Sequence, residues 1–189
     1  MCGIAGIFHA ETPKPVDPAR VVRMCDALAH RGPDGAGVWT DHGVGLGHRR
    51  LSIIDVAGSP QPMHSVDGRA VIVFNGEIYN FRELRRELGQ AGFNFRTNGD
   101  TEVILAAWQK WGPDCLPRLD GMFAFAIFDL ATRRLFLARD RFGVKPLFIA
   151  HLSDGSIAFA SELKGLLAHP LLRRRVNPQA IEAYMAWGY

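Results

Sequence analysis

The amino-acid sequence predicts an α+β fold in which helices flank stacked sheets of antiparallel strands. The main observation is a run of four strand-like segments, 121–129, 134–138, 147–151 and 156–159, separated by turn residues. In the first of these segments both alternating sets of side chains are apolar, which is typical of a strand covered on both faces. Segments with helical spacing of apolar residues elsewhere in the chain can supply the outer cover.

Length and composition predict one domain spanning residues 1–189. The chain is 48% hydrophobic, which is sufficient for a single sizeable core. Its longest apolar stretch, 122–128, is far shorter than the roughly 18 residues that a membrane span needs. No cationic segment followed by a long apolar one opens the chain, so we expect a cytoplasmic protein without a signal peptide.

Cysteine usage and charge exclude several classes of function. Cys2, Cys25 and Cys115 show no CxxC or Cys/His spacing, which favours reduced thiols over a disulfide framework or a metal site. The net charge is +3, and the densest basic run is 173–175. Because no aromatic residues interleave with that run, a solvated basic face is a better interpretation than a nucleic-acid interface.

The N-terminal third of the chain predicts a buried strand, a helix and a hairpin. Residues 3–8 form a short apolar run that places Cys2 at the end of a strand. Asp17 and Pro18 have the chemistry of a helix start, and the helix is expected to reach about residue 30, before a loop at 31–35. Glycine-punctuated segments around 38–39 and 44–47 predict a hairpin, and a further strand is expected at 51–54.

The middle of the chain predicts a strand, a turn and two helices. The β-branched run 70–74 ends at Asn75-Gly76, a pair typical of tight turns. Asn80 and Glu83 have the spacing of a capping box for a helix that extends to about residue 92. A second helix begins near Asp100-Thr101 and stops around Gly112-Pro113.

Two further helices are expected to close the chain, one after Ser161 and one capped by Asn177-Pro178. The second ends on the apolar sequence Trp187-Gly188-Tyr189 without a polar tail. We therefore expect that the natural chain continues past Tyr189, and that residues from about 175 to 189 begin a linker or helix leading to an absent C-terminal domain.

Cys2 is the first candidate for chemistry. Methionine is normally removed before a small second residue, which would leave a thiol and an α-amine on one residue. An α-amine titrates near 7.7 to 8 and a cysteine thiol near 8.5, so this pair can exchange a proton at about neutral pH. Cys2 would then be nucleophile and base together. Taken alone, a cysteine at this position is better interpreted as a small buried hydrophobe.

Nucleophilic attack on an amide also needs hydrogen-bond donors for the developing oxyanion. The Asn75 amide and the Gly76 backbone N–H can supply them at a strand end, although the same pair forms ordinary turns. An amino-acid substrate further needs a cation and an anion for its backbone charges. Candidates for these are Arg49-Arg50, Glu77 and Asp100, and spacing alone leaves the choice open because Asp100 could equally cap its helix.

Seven motifs follow one another along the chain. They are Met1-Cys2-Gly3-Ile4, Arg31-Gly32-Pro33-Asp34-Gly35, residues 47–55, residues 74–80, Gly99-Asp100-Thr101-Glu102, residues 121–126 and residues 139–147. In this order they resemble the class II glutamine amidotransferases, and most closely the glutaminase domain of glutamine-hydrolysing asparagine synthetase. The resemblance covers nearly all of the chain.

The resemblance implies the four-layer αββα sandwich of the N-terminal-nucleophile hydrolases and a role for each matching residue. Cys2 would be the nucleophile, Asn75 and Gly76 the oxyanion hole, and Arg50 the clamp for the substrate carboxylate. Glu77 and Asp100 would hold the substrate amine, while the loop 31–35 would close over glutamine. The pocket would be lined, partly by backbone, by Arg50, Leu51, Ser52, Ile53 and Ile54.

The implied activity is hydrolysis of glutamine to glutamate and ammonia through a thioester on Cys2, with no metal or other cofactor. ATP and magnesium would serve only a C-terminal synthetase domain, to which the ammonia would pass. The resemblance is compatible with a homodimer, and it implies neither a nucleic-acid nor a membrane partner.

Two alternatives remain open at this point. The residues Gly32-Pro33-Asp34 favour the asparagine-synthetase-like group over the sugar-phosphate and phosphoribosyl amidotransferases, yet that group includes enzymes with other acceptors. A non-catalytic module that binds glutamine or a partner chain is a different class of function, because function does not follow from fold.

Overall fold

The computed structural model describes residues 1–11, 13–52, 54–55 and 58–188. The strands within these ranges are β1 (Gly3–Phe8), β2 (Gly35–Asp41), β3 (Val44–Arg50), β4 (Met63–His64), β5 (Ala70–Ile78), β6 (Gly121–Asp129), β7 (Arg134–Arg139), β8 (Phe148–His151) and β9 (Ile157–Ala160). The helices are α1 (Pro18–Asp26), α2 (Phe81–Gln90), α3 (Asp100–Trp111), α4 (Leu163–Leu167) and α5 (Pro178–Trp187), with short 3-10 helices at Ala29–Arg31 and Gly112–Arg118.

The strands form two antiparallel sheets. One has the order β2-β3-β1-β9-β8 and the other the order β4-β5-β6-β7. β1 lies in the middle of the five-stranded sheet, with Gly3 opposite Arg49 of β3 and Ala5 opposite Ala160 of β9. β5 pairs along its whole length with β6, so that Asn75 lies opposite Ala124.

The sheets stack face to face, and helices cover their outer faces. Successive side chains along each strand point alternately toward the other sheet and toward the helices. The core between the sheets contains Ile4, Leu46, Val71, Val73, Ala126, Phe128 and Phe159. Ala5 and Ile7 instead pack against α1 and α4, while Ile72 and Phe125 pack against α2 and α3. These three cores separate four layers, which confirms the expected αββα sandwich.

Several predicted elements are confirmed by local chemistry. Asp17 caps α1 by accepting a hydrogen bond from the Ala19 N–H at 2.9 Å, and Pro18 is the first helical residue. Asn177 caps α5 in the same way at 3.1 Å. The predicted first helix is too long, however, since α1 ends at Asp26 and a 3-10 turn follows. In the described part of the chain no helix is long and apolar enough to span a bilayer.

The predicted strand at 51–54 is wrong. β3 ends at Arg50, and Leu51, Ser52 and Ile54 are not in a strand, while Ile53 lies outside the described residues. The backbone here bonds to side chains instead of to a neighbouring strand. The Leu51 N–H points at the Cys2 Sγ at 3.4 Å, and the Ser52 N–H donates to Asp34 Oδ2 at 2.8 Å.

The predicted turn at Asn75-Gly76 is also wrong, because β5 continues to Ile78. Its partner β6 begins at Gly121, and this pairing keeps the chain extended beyond Gly76. A Cβ at position 76 would lie 2.3 Å from the Met122 carbonyl oxygen. Glycine is therefore needed here for close approach of two backbones and not for a turn.

One further prediction needs correction. Asn80 forms no capping box, since its side chain accepts from the Asp120 N–H at 3.0 Å and donates to the Arg118 carbonyl at 2.9 Å.

The predicted run of four antiparallel strands after residue 120 is confirmed. The structure adds that β6 and β7 belong to the four-stranded sheet, whereas β8 and β9 belong to the five-stranded sheet.

Candidate active site

Most of the residues predicted for the site meet in one pocket, between the ends of β1, β3 and β5. Ser52 does not line it, and Ile53 lies outside the described residues. The predicted residues that line the pocket are Cys2, Arg50, Leu51, Ile54, Asn75, Gly76, Glu77 and Asp100.

Cys2 lies directly before β1 and is partly exposed. Its Sγ is 3.4 Å from the Leu51 nitrogen and 3.5 Å from the Leu51 carbonyl oxygen. The other two thiols are sequestered, because burial raises the pKa of Cys25 to about 12 and that of Cys115 to about 11. Since the thiolate is the nucleophile, Cys2 is the thiol available for chemistry.

Arg31 fixes the backbone of Cys2. Its buried guanidinium donates from Nε to the Cys2 carbonyl at 2.8 Å and from a terminal nitrogen to Glu162 at 2.8 Å. Partial burial raises the pKa of Glu162, but hydrogen bonds from Arg31, His30 and Lys164 outweigh it and bring that pKa to about 2. The carboxylate therefore stays ionised and holds Arg31 against Cys2. Sequence reasoning placed Arg31 in the closing loop and missed Glu162, 131 residues away.

Asn75 presents an unused donor to the pocket. The side chain is buried, and its Nδ2 has no hydrogen-bond partner among the described residues. An unpaired buried amide is costly unless a ligand satisfies it. Asn75 and Gly76 both line the pocket that holds Cys2, so amide donors and the Cys2 thiol face a common space.

Charged groups of both signs line the same pocket. Arg50 donates from a terminal nitrogen to the Asp55 carbonyl at 2.7 Å. Asp100 is the first residue of α3 and accepts from the Ile78 N–H at 3.1 Å, so it ties the helix to the end of β5. Burial, with a smaller contribution from Glu77, raises the pKa of Asp100. A cationic ligand group between Glu77 and Asp100 would offset both the burial of the Asp100 carboxylate and its repulsion by Glu77.

His48 joins the two sheets behind the pocket. It lies on β3, and its Nε2 donates to the Phe74 carbonyl of β5 at 3.1 Å, while Gln61 Oε1 accepts from the Phe74 N–H at 2.6 Å. The residue before Asn75 is thus held at both its N–H and its carbonyl group. Burial lowers the pKa of His48 to about 4, so the ring is neutral at pH 7.

The buried neutral His48 makes stability dependent on pH. The unfolded chain binds a proton at His48 below about pH 6.5, whereas the folded chain does so only near pH 4, so acid favours unfolding. We expect about 2 kcal/mol of unfolding free energy to be lost through this group between pH 7.5 and 5. Urea unfolding should show a shallower pH dependence in His48→Gln, which cannot titrate. The exposed His151→Gln should keep the wild-type slope; equal slopes in both variants would contradict the assignment.

Within the described ranges, no three potential metal ligands among His, Cys, Asp and Glu come together in one group. The polar groups of the pocket are instead arranged as donors, a cation and carboxylates. Such a set suits a small zwitterionic ligand with an amide or carbonyl group.

Comparison with known proteins agrees with this geometry. The sequence profile of the glutamine amidotransferase domain family matches residues 1–189. Asparagine synthetase [glutamine-hydrolyzing] 3 of Bacillus subtilis is 40% identical over 190 residues, which cover 100% of this chain and 31% of that protein. A putative asparagine synthetase [glutamine-hydrolyzing] of Mycobacterium tuberculosis is 48% identical over 182 residues, 88% of this chain and 28% of that protein.

Among solved structures, glutamine phosphoribosylpyrophosphate amidotransferase of Bacillus subtilis superposes with a TM-score of 0.73 at 22% identity, over 92% of this chain and 45% of that one. This likeness shows a shared fold. The chain spans about a third of the length of the curated relatives above. The match over all 189 residues, together with the αββα sandwich, shows that the chain belongs to the glutamine amidotransferase domain family.

Proposed function

We propose that this chain hydrolyses glutamine to glutamate and ammonia through a thioester on Cys2. The observation that carries the proposal is the meeting of the Cys2 thiol with the unpartnered Nδ2 of Asn75 in one pocket. A thiol with a purely structural role would not need this amide donor beside it, and the amide donor would not need the thiol. A thiol beside an unused amide donor is the arrangement that acyl transfer from an amide requires.

The first half of the reaction releases ammonia. With Met1 removed, the α-amine of Cys2 takes the thiol proton, and Sγ bonds to the side-chain amide carbon of glutamine. The negative charge that develops on oxygen is stabilised by Asn75 Nδ2 and the Gly76 N–H. The intermediate then collapses, the carbon–nitrogen bond breaks, and the α-amine returns its proton to the leaving nitrogen.

The second half regenerates the enzyme. Water attacks the thioester carbon, and the same amine accepts the water proton. The carbon–sulfur bond then breaks and the amine returns the proton to Sγ, which gives glutamate and the Cys2 thiol. One glutamine and one water are consumed for each glutamate and ammonia. Each half passes through a tetrahedral intermediate whose oxyanion lies at the same position, so the same donors serve both halves.

Charged residues of the pocket would orient the substrate. Arg50 would bind the α-carboxylate, and Glu77 with Asp100 would bind the α-ammonium. Leu51 and Ile54, which line the pocket, would add further contacts. The loop at 31–35 would close over glutamine. It is tied to the pocket-lining end of β3, because the Asp34 N–H donates to the Arg50 carbonyl at 2.9 Å and Asp34 Oδ2 accepts from the Ser52 N–H at 2.8 Å.

The decisive experiment measures glutamate and ammonia produced by protein whose first residue is verified as Cys2 by mass spectrometry. We expect the two products in equal amounts. Binding of glutamine without turnover would instead support the alternative of a non-catalytic glutamine-binding module.

Arg50→Lys tests the carboxylate clamp. Lysine keeps the charge but loses the two-pronged geometry of the guanidinium, so we expect the glutamine KM to rise about tenfold with little change in kcat. Steady-state kinetics would measure both. The control is Arg49→Lys, because Arg49 bonds to the Cys25 carbonyl and to Asp26 instead of lining the pocket. An unchanged KM in Arg50→Lys would mean that another group binds the carboxylate.

For the longer protein, we propose that the ammonia amidates aspartate in a C-terminal synthetase domain that uses ATP and magnesium, while the glutaminase domain itself needs no cofactor. The lengths and names of the curated relatives support this proposal. An acceptor other than aspartate is the alternative. Extending the chain through its natural reading frame and testing aspartate, ATP and glutamine together for asparagine would distinguish them.

A further inference from the structure

Lys145 is a buried amine that faces the pocket and has no anionic partner among the residues that the structure describes. Its side chain lines the same pocket as Cys2, and the residue is only 5% exposed. The hydrogen-bond partner of Nζ is the Met1 Sδ at 3.1 Å, a weak acceptor. Across the described ranges no carboxylate forms an ion pair with it. A buried charge in this condition is costly unless another group pairs with it.

The loop around Lys145 holds the residue firmly in place. Asp140 Oδ2 accepts from the N–H groups of Lys145 at 2.9 Å and Phe123 at 3.2 Å, and Oδ1 accepts from the Val144 N–H at 2.9 Å. Arg139 Nε donates to the Lys145 carbonyl at 2.8 Å. The motif at 139–147, which the proposed reaction does not otherwise use, thus fixes both backbone polar groups of Lys145.

Met1 connects Lys145 to the nucleophile. Its backbone is bonded to Cys2, and its side chain contacts the Lys145 ammonium. Removal of Met1 therefore frees the α-amine of Cys2 and takes away the partner of Lys145 in the same event. The amine and the ammonium are left facing one small space.

We infer that Lys145 is a positioning residue for the terminus of Cys2, where its fixed positive charge disfavours the protonated α-amine and favours the thiolate. This inference rests on the proposed function, in which the amine is the base. The other charged groups facing the pocket are Arg50, Glu77 and Asp100. The two carboxylates have the opposite effect on the amine. Arg31, whose Nε donates to the Cys2 carbonyl at 2.8 Å, is a further cation beside this terminus, so Lys145 adds its charge to those of Arg31 and Arg50.

The test compares Lys145→Met with Lys145→Arg in protein that begins at Cys2. The first readout is the rate of Cys2 alkylation by iodoacetamide between pH 5.5 and 9.5, followed by mass spectrometry, and the second is kcat/KM for glutamine over the same range. For Lys145→Met we expect the acid limbs of both profiles to move up by about one pH unit, with rates about tenfold lower at pH 7 and close to wild type at pH 9. Lys145→Arg should restore the wild-type limb.

Arg141→Met is the matched control, since Arg141 lies in the same motif but is exposed. It should leave both profiles unchanged. An unshifted acid limb in Lys145→Met, or a loss that is equal at every pH and accompanied by a lower melting temperature, would overturn the inference. Alkylation needs no glutamine turnover, so a wild-type protein that fails to hydrolyse glutamine would defeat the proposed function while still reporting on Lys145.

Discussion

Cys2→Ala is expected to abolish glutamine hydrolysis, with kcat falling by at least about a thousandfold. The substitution removes the only atom in the proposed reaction that bonds to the substrate, and nothing else in the described pocket supplies a thiol. Ammonia release by the verified Cys2-trimmed protein and by the equally trimmed variant would measure the effect.

A matched control comes from Cys115, which is buried in the core beneath α3. Cys115→Ala should keep near-normal turnover even if it lowers the melting temperature slightly. Glutamine binding by Cys2→Ala, measured by calorimetry, should persist because Arg50 and Asp100 are intact. Substantial turnover by Cys2→Ala would refute the role of nucleophile.

Asn75→Ala is expected to lower kcat by roughly a hundredfold or more, with a much smaller change in KM. Its Nδ2 has no partner in the described protein, so truncation removes no hydrogen bond from the fold. The loss should therefore appear in the transition state, where the oxyanion forms, and not in stability.

Steady-state kinetics combined with thermal unfolding would separate these effects. Asn94→Ala serves as the control, because Asn94 is exposed and does not line the pocket. If Asn75→Ala keeps its kcat, or loses activity only in proportion to a loss of folded protein, the oxyanion role is wrong.

Local chemistry explains which parts of the fold could be predicted from the sequence. The Asp17-Pro18 and Asn177-Pro178 pairs specify helix starts through neighbouring backbone groups. The strand at Gly3–Phe8 follows from its apolar run, because a continuous apolar segment bounded by polar residues suits a central strand. The layered architecture could be predicted from β6, because both alternating sets of its side chains are apolar.

The errors arose where a distant partner decided the local conformation. Asn75-Gly76 resembles a turn, yet β6 supplies an antiparallel partner that keeps it extended. Asn80 has the spacing of a capping box, but its side chain forms hydrogen bonds with the Arg118 carbonyl and the Asp120 N–H instead. No local sequence pattern predicts such partners.

The site could be predicted residue by residue only through the family resemblance, since spacing left Arg50, Glu77 and Asp100 as unranked candidates. The structure brings all three to the pocket that contains Cys2. Arg31 was noted as a loop residue, but its bond to the Cys2 carbonyl and its partner Glu162 required the folded chain. The sequence alone does not distinguish a buried arginine from an exposed one.

The placement of β1 between β3 and β9 has a consequence for how the site assembles. The groups that immobilise Cys2 lie far from it along the chain. The Ile4 N–H donates to the Ser161 hydroxyl at 2.9 Å, and Glu162 holds Arg31 against Cys2. Because these contacts join residues 157 and 131 positions apart, the thiol is aligned only when β9 and the segment after it have docked beside β1.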